Sequence, residues 1–372
     1  MIRLLTDMLN TDTQNPPGNE RILADYICRY LSGCGCDPAI QELGNGRANV
    51  TARIRGREPG KALMLNGHLD TVPNGAGWHT DPQRTAEKDG RLYARGASDM
   101  KSGLAVMLCA FRELAMSGNT PKHDILFAGT ADEESGGAGA KALAEAGLLE
   151  DVGTILIGEP TGLGLGLAAK GCLWLHMEAK GRTCHGAYPE RGVNAVDGLT
   201  GLAGIIRETV EGGTHPLLGN ATATLTKISG GIKVNMVPDR AEAMMDLRTL
   251  PGTDHRALTG EIRRKTGEWC AANPGLEISL EIENDRQPVE TRPGSKTARR
   301  MEQLYEKLFG EPMKHTGTAF FSDASVFLRY ADCDVIQFGP GESTFAHTPD
   351  ESVSVTDCHR ALQLMRMLLK EV

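Results

Sequence analysis

The chain has no excess of positive charge. Its 40 Lys and Arg stand against 48 Asp and Glu, a net charge of −8. A nucleic-acid partner is therefore not expected. No stretch approaches the roughly 20 apolar residues that span a bilayer. The opening Met1-Ile2-Arg3-Leu4-Leu5-Thr6-Asp7 lacks the apolar core of a secretory leader. The nine cysteines are odd in number and scattered, and Cys34 and Cys36 have no second pair nearby. That pattern supports neither a closed zinc site nor a disulfide framework. The expectation is a cytoplasmic protein with reduced, mostly buried thiols and neither a nucleic-acid nor a membrane partner. At 372 residues, two domains are expected rather than one.

What the chain does have is polar chemistry at the ends of apolar runs. Ala62-Leu63-Met64-Leu65 reads as a short buried strand and is followed by Asn66-Gly67-His68-Leu69-Asp70. His68 and Asp70, two residues apart in extended chain, share a face. Arg91–Ala94 is another short strand, and Asp99 lies between it and a helix over 104–115. The strand over 124–129 leads into Asp132-Glu133-Glu134, and the strand over 154–158 leads into Glu159. Each signal alone has a plain reading: a hydrogen-bonded pair, a helix cap, a solvated turn. Strands alternating with helices imply a mostly parallel sheet, whose ligands bind beyond the carboxyl ends of its strands. The acidic and imidazole groups should then converge on one place.

From about residue 171 to 283 the pattern changes to strand (172–180), helix (193–210), strand (222–229), strand (241–247), helix (254–271), strand (276–282). This βαββαβ order is that of a ferredoxin-like domain. The α/β pattern resumes after it with helices over 297–308, 319–329 and 356–369 and a strand over 333–338. The expected architecture is a discontinuous catalytic α/β domain, 1–170 and 284–372, interrupted by an inserted domain, 171–283.

Five motifs in order complete the picture: Gly67-His68-Leu69-Asp70-Thr71-Val72-Pro73, Gly96-Ala97-Ser98-Asp99-Met100-Lys101-Ser102-Gly103, Asp132-Glu133-Glu134-Ser135-Gly136, Gly158-Glu159-Pro160-Thr161 and His347-Thr348-Pro349-Asp350-Glu351. With them the chain resembles, over essentially its whole length, the M20 metallopeptidases, a group that includes acetylornithine deacetylases, succinyl-diaminopimelate desuccinylases, aminoacylases and glutamate-releasing carboxypeptidases. The resemblance implies two divalent metal ions, usually zinc, with cobalt or manganese also suited. His68, Asp99 and Glu159 would hold one ion, and Asp99, Glu134 and His347 the other. Asp99 would bridge them and precede a cis peptide bond. Glu133 would be the general base, and Asp70 would orient His68. No Ser or Cys nucleophile is then required.

The inserted segment carries Cys184-His185-Gly186-Ala187-Tyr188-Pro189, similar to the family's dimerisation-domain motif. It implies a homodimer in which His185 reaches the partner's site and stabilises the oxyanion. Asn235, Arg248 and Gly317 match substrate-contacting positions, although the spacing after Thr318 departs from the family's pattern. Arg248 can grip a substrate carboxylate or pair with a neighbouring acid. The other seven histidines (His79, His123, His176, His215, His255, His315, His359) are read as non-ligands. The expected activity is hydrolysis of the amide bond of an N-acyl amino acid. A carboxypeptidase or dipeptidase activity and a catalytically silent metal-binding relative are the alternatives.

Overall fold

The computed structural model describes residues 1–371. The chain divides into two compact units: Met1–Leu167 with Glu290–Thr316 and Ser322 onward, and Ala168–Val289 with Gly317–Phe321.

The first unit is built on a large mixed sheet. Its successive neighbours are Ala39–Gly44, Arg47–Ile54, Ile125–Thr130, Ala62–His68, Val152–Ile157 and Asp334–Gln337. The pairs in the middle are parallel: Ala62–His68 lies between Ile125–Thr130 and Val152–Ile157, and Asp334–Gln337 follows. Every residue of Ala62–His68 and of Ile125–Thr130 is buried. Strands covered on both faces read as unbroken apolar runs, and these do. Helix Lys101–Met116 is enclosed almost throughout, and it packs against helix Val355–Leu369 and the sheet. One close approach sets the geometry of the site. A Cβ on Gly103, in that helix's first turn, would stand 1.9 Å from the Gly158 carbonyl oxygen. Only glycine lets these two backbones meet, and they carry Asp99 and Glu159.

The second unit is a four-stranded antiparallel sheet in the order Thr222–Gly230, Arg240–Thr249, Gly171–Lys180, Glu277–Arg286. Its helices, Ala195–Val210 and His255–Ala272, complete the βαββαβ order. Along Gly171–Lys180, Leu173, Leu175, Met177 and Ala179 enter the core while Glu178 and Lys180 face solvent. Both helices are capped from the preceding residue. Asn194 accepts from the Val196 and Asp197 amides, and Asp254 from those of Arg256 and Ala257.

One expected element is corrected. No helix runs over 319–329. Only Ala324–Phe327 is helical, after a strand His315–Thr318. The apolar spacing there serves a pinned turn. Asp323 accepts from Thr130 Oγ1 at 2.6 Å, and Ser322 Oγ from Gln337 Nε2 at 3.1 Å. Ala39–Gly44, a sheet edge with a half-exposed polar pattern, was not foreseen. Among the described residues no helix is long and apolar enough to cross a membrane.

Candidate metal centre

All the expected ligands but Asp99 leave the carboxyl end of a parallel strand or the loop beyond it. Asp99 instead follows Arg91–Tyr93, an antiparallel strand of a separate three-stranded sheet. His68 is the last residue of its strand, and Glu133 and Glu134 follow Ile125–Thr130. Glu159 follows Val152–Ile157, and Asp99 lies two residues ahead of helix Lys101–Met116. His347 comes from the loop after Asp334–Gln337, with its backbone in the left-handed region at φ 61°. That conformation is costly for a side chain with a Cβ, and such residues gather at functional sites.

These side chains meet. Ligand atoms of His68, Asp99 and Glu134 lie within 4.8 Å of one another. Asp99 presents its two oxygens to different imidazoles: Oδ1 is 3.2 Å from His68 Nε2, and Oδ2 is 3.3 Å from His347 Nε2. His347 Nε2 is also 3.1 Å from Glu134 Oε1. His68 is buried, whereas the His347 side chain is 50% exposed, so the cluster opens to solvent on the His347 side. The Asp99–Met100 peptide is cis, as the resemblance implies.

A further layer fixes these groups. The Asp70 carbonyl accepts from His68 Nδ1 at 2.9 Å, which leaves Nε2 facing Asp99. The Asp70 carboxylate accepts from the Glu133 and Glu134 amides, both at 3.2 Å. Glu351 accepts from the Ser98 and Asp99 amides at 2.8 and 2.9 Å and from the Gly96 amide at 3.1 Å, and pairs with Arg95 at 2.7 Å.

The electrostatics call for a cation. Burial, with the nearby charges of Glu134, Glu159 and Asp323, pushes the Glu133 carboxyl well above its ordinary pKa, against the pull of His68. Burial and then the Asp99 charge do the same to Glu159. For Asp99 the hydrogen bonds from His347 and His68 outweigh burial and hold the carboxyl low. The hydrogen bonds to Asp99 and Glu134 raise His347 to about 10. Four carboxyl groups thus share the space with two imidazoles, and with all four ionised the charge does not balance even when both imidazoles are protonated. Glu133 Oε1, though buried, has no hydrogen-bond partner among the described residues. Divalent cations fit this donor set. They would neutralise the carboxylates and displace the protons. Nitrogen and oxygen donors without thiolate suit zinc, cobalt or manganese.

The family model described as Peptidase family M20/M25/M40 matches residues 64–371. The chain belongs to this peptidase family. It is an M20-type metallohydrolase of amide C–N bonds, with a site for divalent metal ions. It is 29% identical over 385 residues to a probable succinyl-diaminopimelate desuccinylase of Staphylococcus epidermidis, covering 95% of this chain and 92% of the relative. It is 31% identical over 369 residues to an acetylornithine deacetylase of Myxococcus xanthus, covering 96% and 93%. An M20 family metallo-carboxypeptidase from Sulfolobus solfataricus superposes with a TM-score of 0.81 at 18% identity, over 99% of this chain and 98% of that one. At that identity the likeness is one of fold.

In this M20 chain the remaining expected residues lie in the second unit. His185 is on an exposed loop, where its Nδ1 accepts from the Ala187 amide at 3.0 Å. The loop pairs with the segment holding Asn235: Gly186 donates to the Asn235 carbonyl at 2.8 Å, and His185 bridges to Met236. Arg248 is held by its neighbour Asp246, with nitrogen–oxygen distances of 2.9–3.2 Å. A Cβ on Gly317 would meet Leu218 Cδ2 at 2.5 Å, so that turn is closely covered. Three residues around the metal cluster were not singled out from sequence: Asn15, Glu20 and Arg47. Their signal is three-dimensional. Each is a buried or half-buried polar group tied to Asp132, far away in the chain.

Proposed function

We propose that the chain is a two-metal deacylase that cleaves the amide bond of an N-acyl amino acid, of the succinyl or acetyl type. The observation that carries this reading is the Asp99 carboxylate, with one oxygen toward His68 and the other toward His347. A carboxylate so placed suits a bridge between two ions. His68 and Glu159 would complete one site, and Glu134 and His347 the other; zinc is the first candidate. Such ions, when bound, supply Lewis acidity to the scissile carbonyl and make water acidic enough to attack at neutral pH. Glu133, whose raised pKa and free oxygen suit a proton carrier, takes the proton from water and passes it to the leaving nitrogen. Asp70 holds the His68 ring in place.

The names of the two curated relatives, a desuccinylase and a deacetylase, favour deacylation over peptide cleavage. His185, Asn235, Arg248 and Gly317 are assigned to the substrate side. His185 would donate to the oxyanion from the partner subunit of a homodimer formed through the second unit. Two apolar residues there, Ile232 and Val234, are 85% and 102% exposed beside the edge strand Thr222–Gly230, as a surface awaiting a second copy would be.

The test is hydrolysis of N-succinyl, N-acetyl and dipeptide substrates by metal-stripped protein, with and without zinc or cobalt. Restored activity on an N-acyl amino acid is expected. Metal-restored cleavage of dipeptides alone would replace deacylation with a peptidase activity. Failure to bind metal would remove the two-ion site.

A further inference from the structure

We propose that Asn15 and Arg47, both outside the five motifs, are positioning residues for Glu133. This rests on the reading of Glu133 as the general base. Glu133 and Glu134 are held from two carboxylates. Asp70 accepts from both of their amides. Asp132, immediately before them, has a left-handed backbone at φ 69°. A non-glycine residue stays there only if its surroundings enforce it.

Asn15 and Arg47 do the enforcing. The buried Asn15 amide nitrogen donates to Asp70 Oδ2 at 2.9 Å and to Asp132 Oδ1 at 3.0 Å, so one side chain spans both carboxylates. Its oxygen accepts from Arg47 Nη2 at 2.7 Å, which fixes the amide's orientation. Arg47 Nη1 reaches Asp132 Oδ1 at 2.5 Å and Glu20 Oε1 at 3.1 Å. Glu20 Oε1 in turn accepts from the Asp132 amide at 3.2 Å. The other Asp132 oxygen accepts from the Ala138 amide at 3.2 Å. Both donors of the Asn15 amide and both arms of the Arg47 fork are therefore used, a geometry that an ammonium group cannot reproduce. Arg47 also sets one cation against the close carboxylates of Asp132 and Glu20. Without the brace, Asp132 has reason to relax out of its left-handed state, and the Glu133 carboxylate moves with it. A displacement of about 1 Å at a catalytic group costs on the order of 100-fold in rate.

The test uses full-length, metal-loaded protein with Asn15→Ala, Arg47→Ala and Arg47→Lys, each alone and combined with Glu133→Gln. The expected result is a kcat loss of about 10–100-fold in each single variant with KM little changed. The same exchanges should add almost nothing once Glu133 is Gln. Guanidinium ion should recover part of the Arg47→Ala loss, because that side chain is 19% exposed and its place can be reached from solvent. Cobalt titration of the stripped variants should show about tenfold weaker binding, the usual effect of losing a residue that orients a ligand. Single variants within twofold of the parent in kcat and cobalt affinity would overturn the proposal. So would a loss confined to KM, or one undiminished in the Glu133→Gln background. Wild-type turnover by Glu133→Gln alone would instead remove the general-base reading. Asn15→Ala leaves every charge in place, so it carries the test even where Arg47→Ala lowers folding.

Discussion

The two units treat their polar side chains in opposite ways. In the first, the candidate ligands converge, and all but His347 are buried or nearly so. They are held by partners such as Asp70 and Glu351, which accept backbone amides on either side of the site. In the second, His185 and Asn235 sit on paired loops at the surface, and Arg248 is taken up by Asp246. The first arrangement is preorganised: its geometry is fixed before any ligand arrives, at the cost of crowding like charges. The second has no such enclosure. Removing a ligand from the first unit should therefore change metal binding and chemistry together, and disrupting the second unit should change one without the other.

The largest effect should come from Asp99→Ala. It removes the carboxylate that faces both imidazoles. Metal content should fall well below that of the parent, with turnover lost beyond the ~10²–10⁴-fold that a general base supplies. Elemental analysis after dialysis checks the first part, and retention of a full metal complement would break the bridging assignment. Glu133→Gln comes next. The amide is nearly isosteric and Glu133 is outside the proposed ligand set, so metal content should stay while kcat drops ~10²–10⁴-fold. In the second unit, His185→Ala should cost ~10²–10³-fold in kcat, the usual loss for an oxyanion donor, with metal content unchanged. Unchanged kinetics would take His185 out of the mechanism and leave the catalytic work to the first unit.

Protons give a smaller, graded contrast. Hydrogen bonds to Asp99 and Glu134 raise His347 to about 10, and burial raises Glu134 and Glu159. The metal-free site thus retains protons at neutral pH that a cation must displace. Affinity should rise with pH, roughly tenfold per unit for each displaced proton, and flatten as pH passes about 10. Acidification of a lightly buffered solution on adding zinc at pH 7 would show it directly. Uptake without proton release would mean that the ligands are already deprotonated.

How much of this could be read from the sequence follows from where the information lies. The unbroken apolar runs Leu63–Leu65 and Ile125–Ala128 mark strands covered on both faces, so the polar residues just after them stand at strand ends. The alternation along Gly171–Lys180 marks a sheet with one covered face. Both follow from local periodicity. The segment after Thr318 did not, because its shape is set by Thr130 and Gln337, distant in the chain, rather than by its own spacing. The brace around Asp132 escaped for the same reason. Asn15, Glu20 and Arg47 show no pattern until folding brings them to one carboxylate.

The smallest perturbation sharpens the contrast most cleanly. The Asn194 side chain caps helix Ala195–Val210 by accepting from the Val196 and Asp197 amides. Its loss leaves two first-turn donors to water, and Asn194→Ala should destabilise the protein by ~1 kcal/mol. That change belongs to the second unit's own framework, whose core is formed by its own strands and helices. Metal affinity, set by the first unit, should not move. Denaturant unfolding of the metal-free protein measures the first quantity and cobalt titration the second. A cap lost without any shift in cobalt affinity would show that the metal centre is preorganised by its own unit alone, whereas weakened affinity would show that the centre depends on the second unit's integrity.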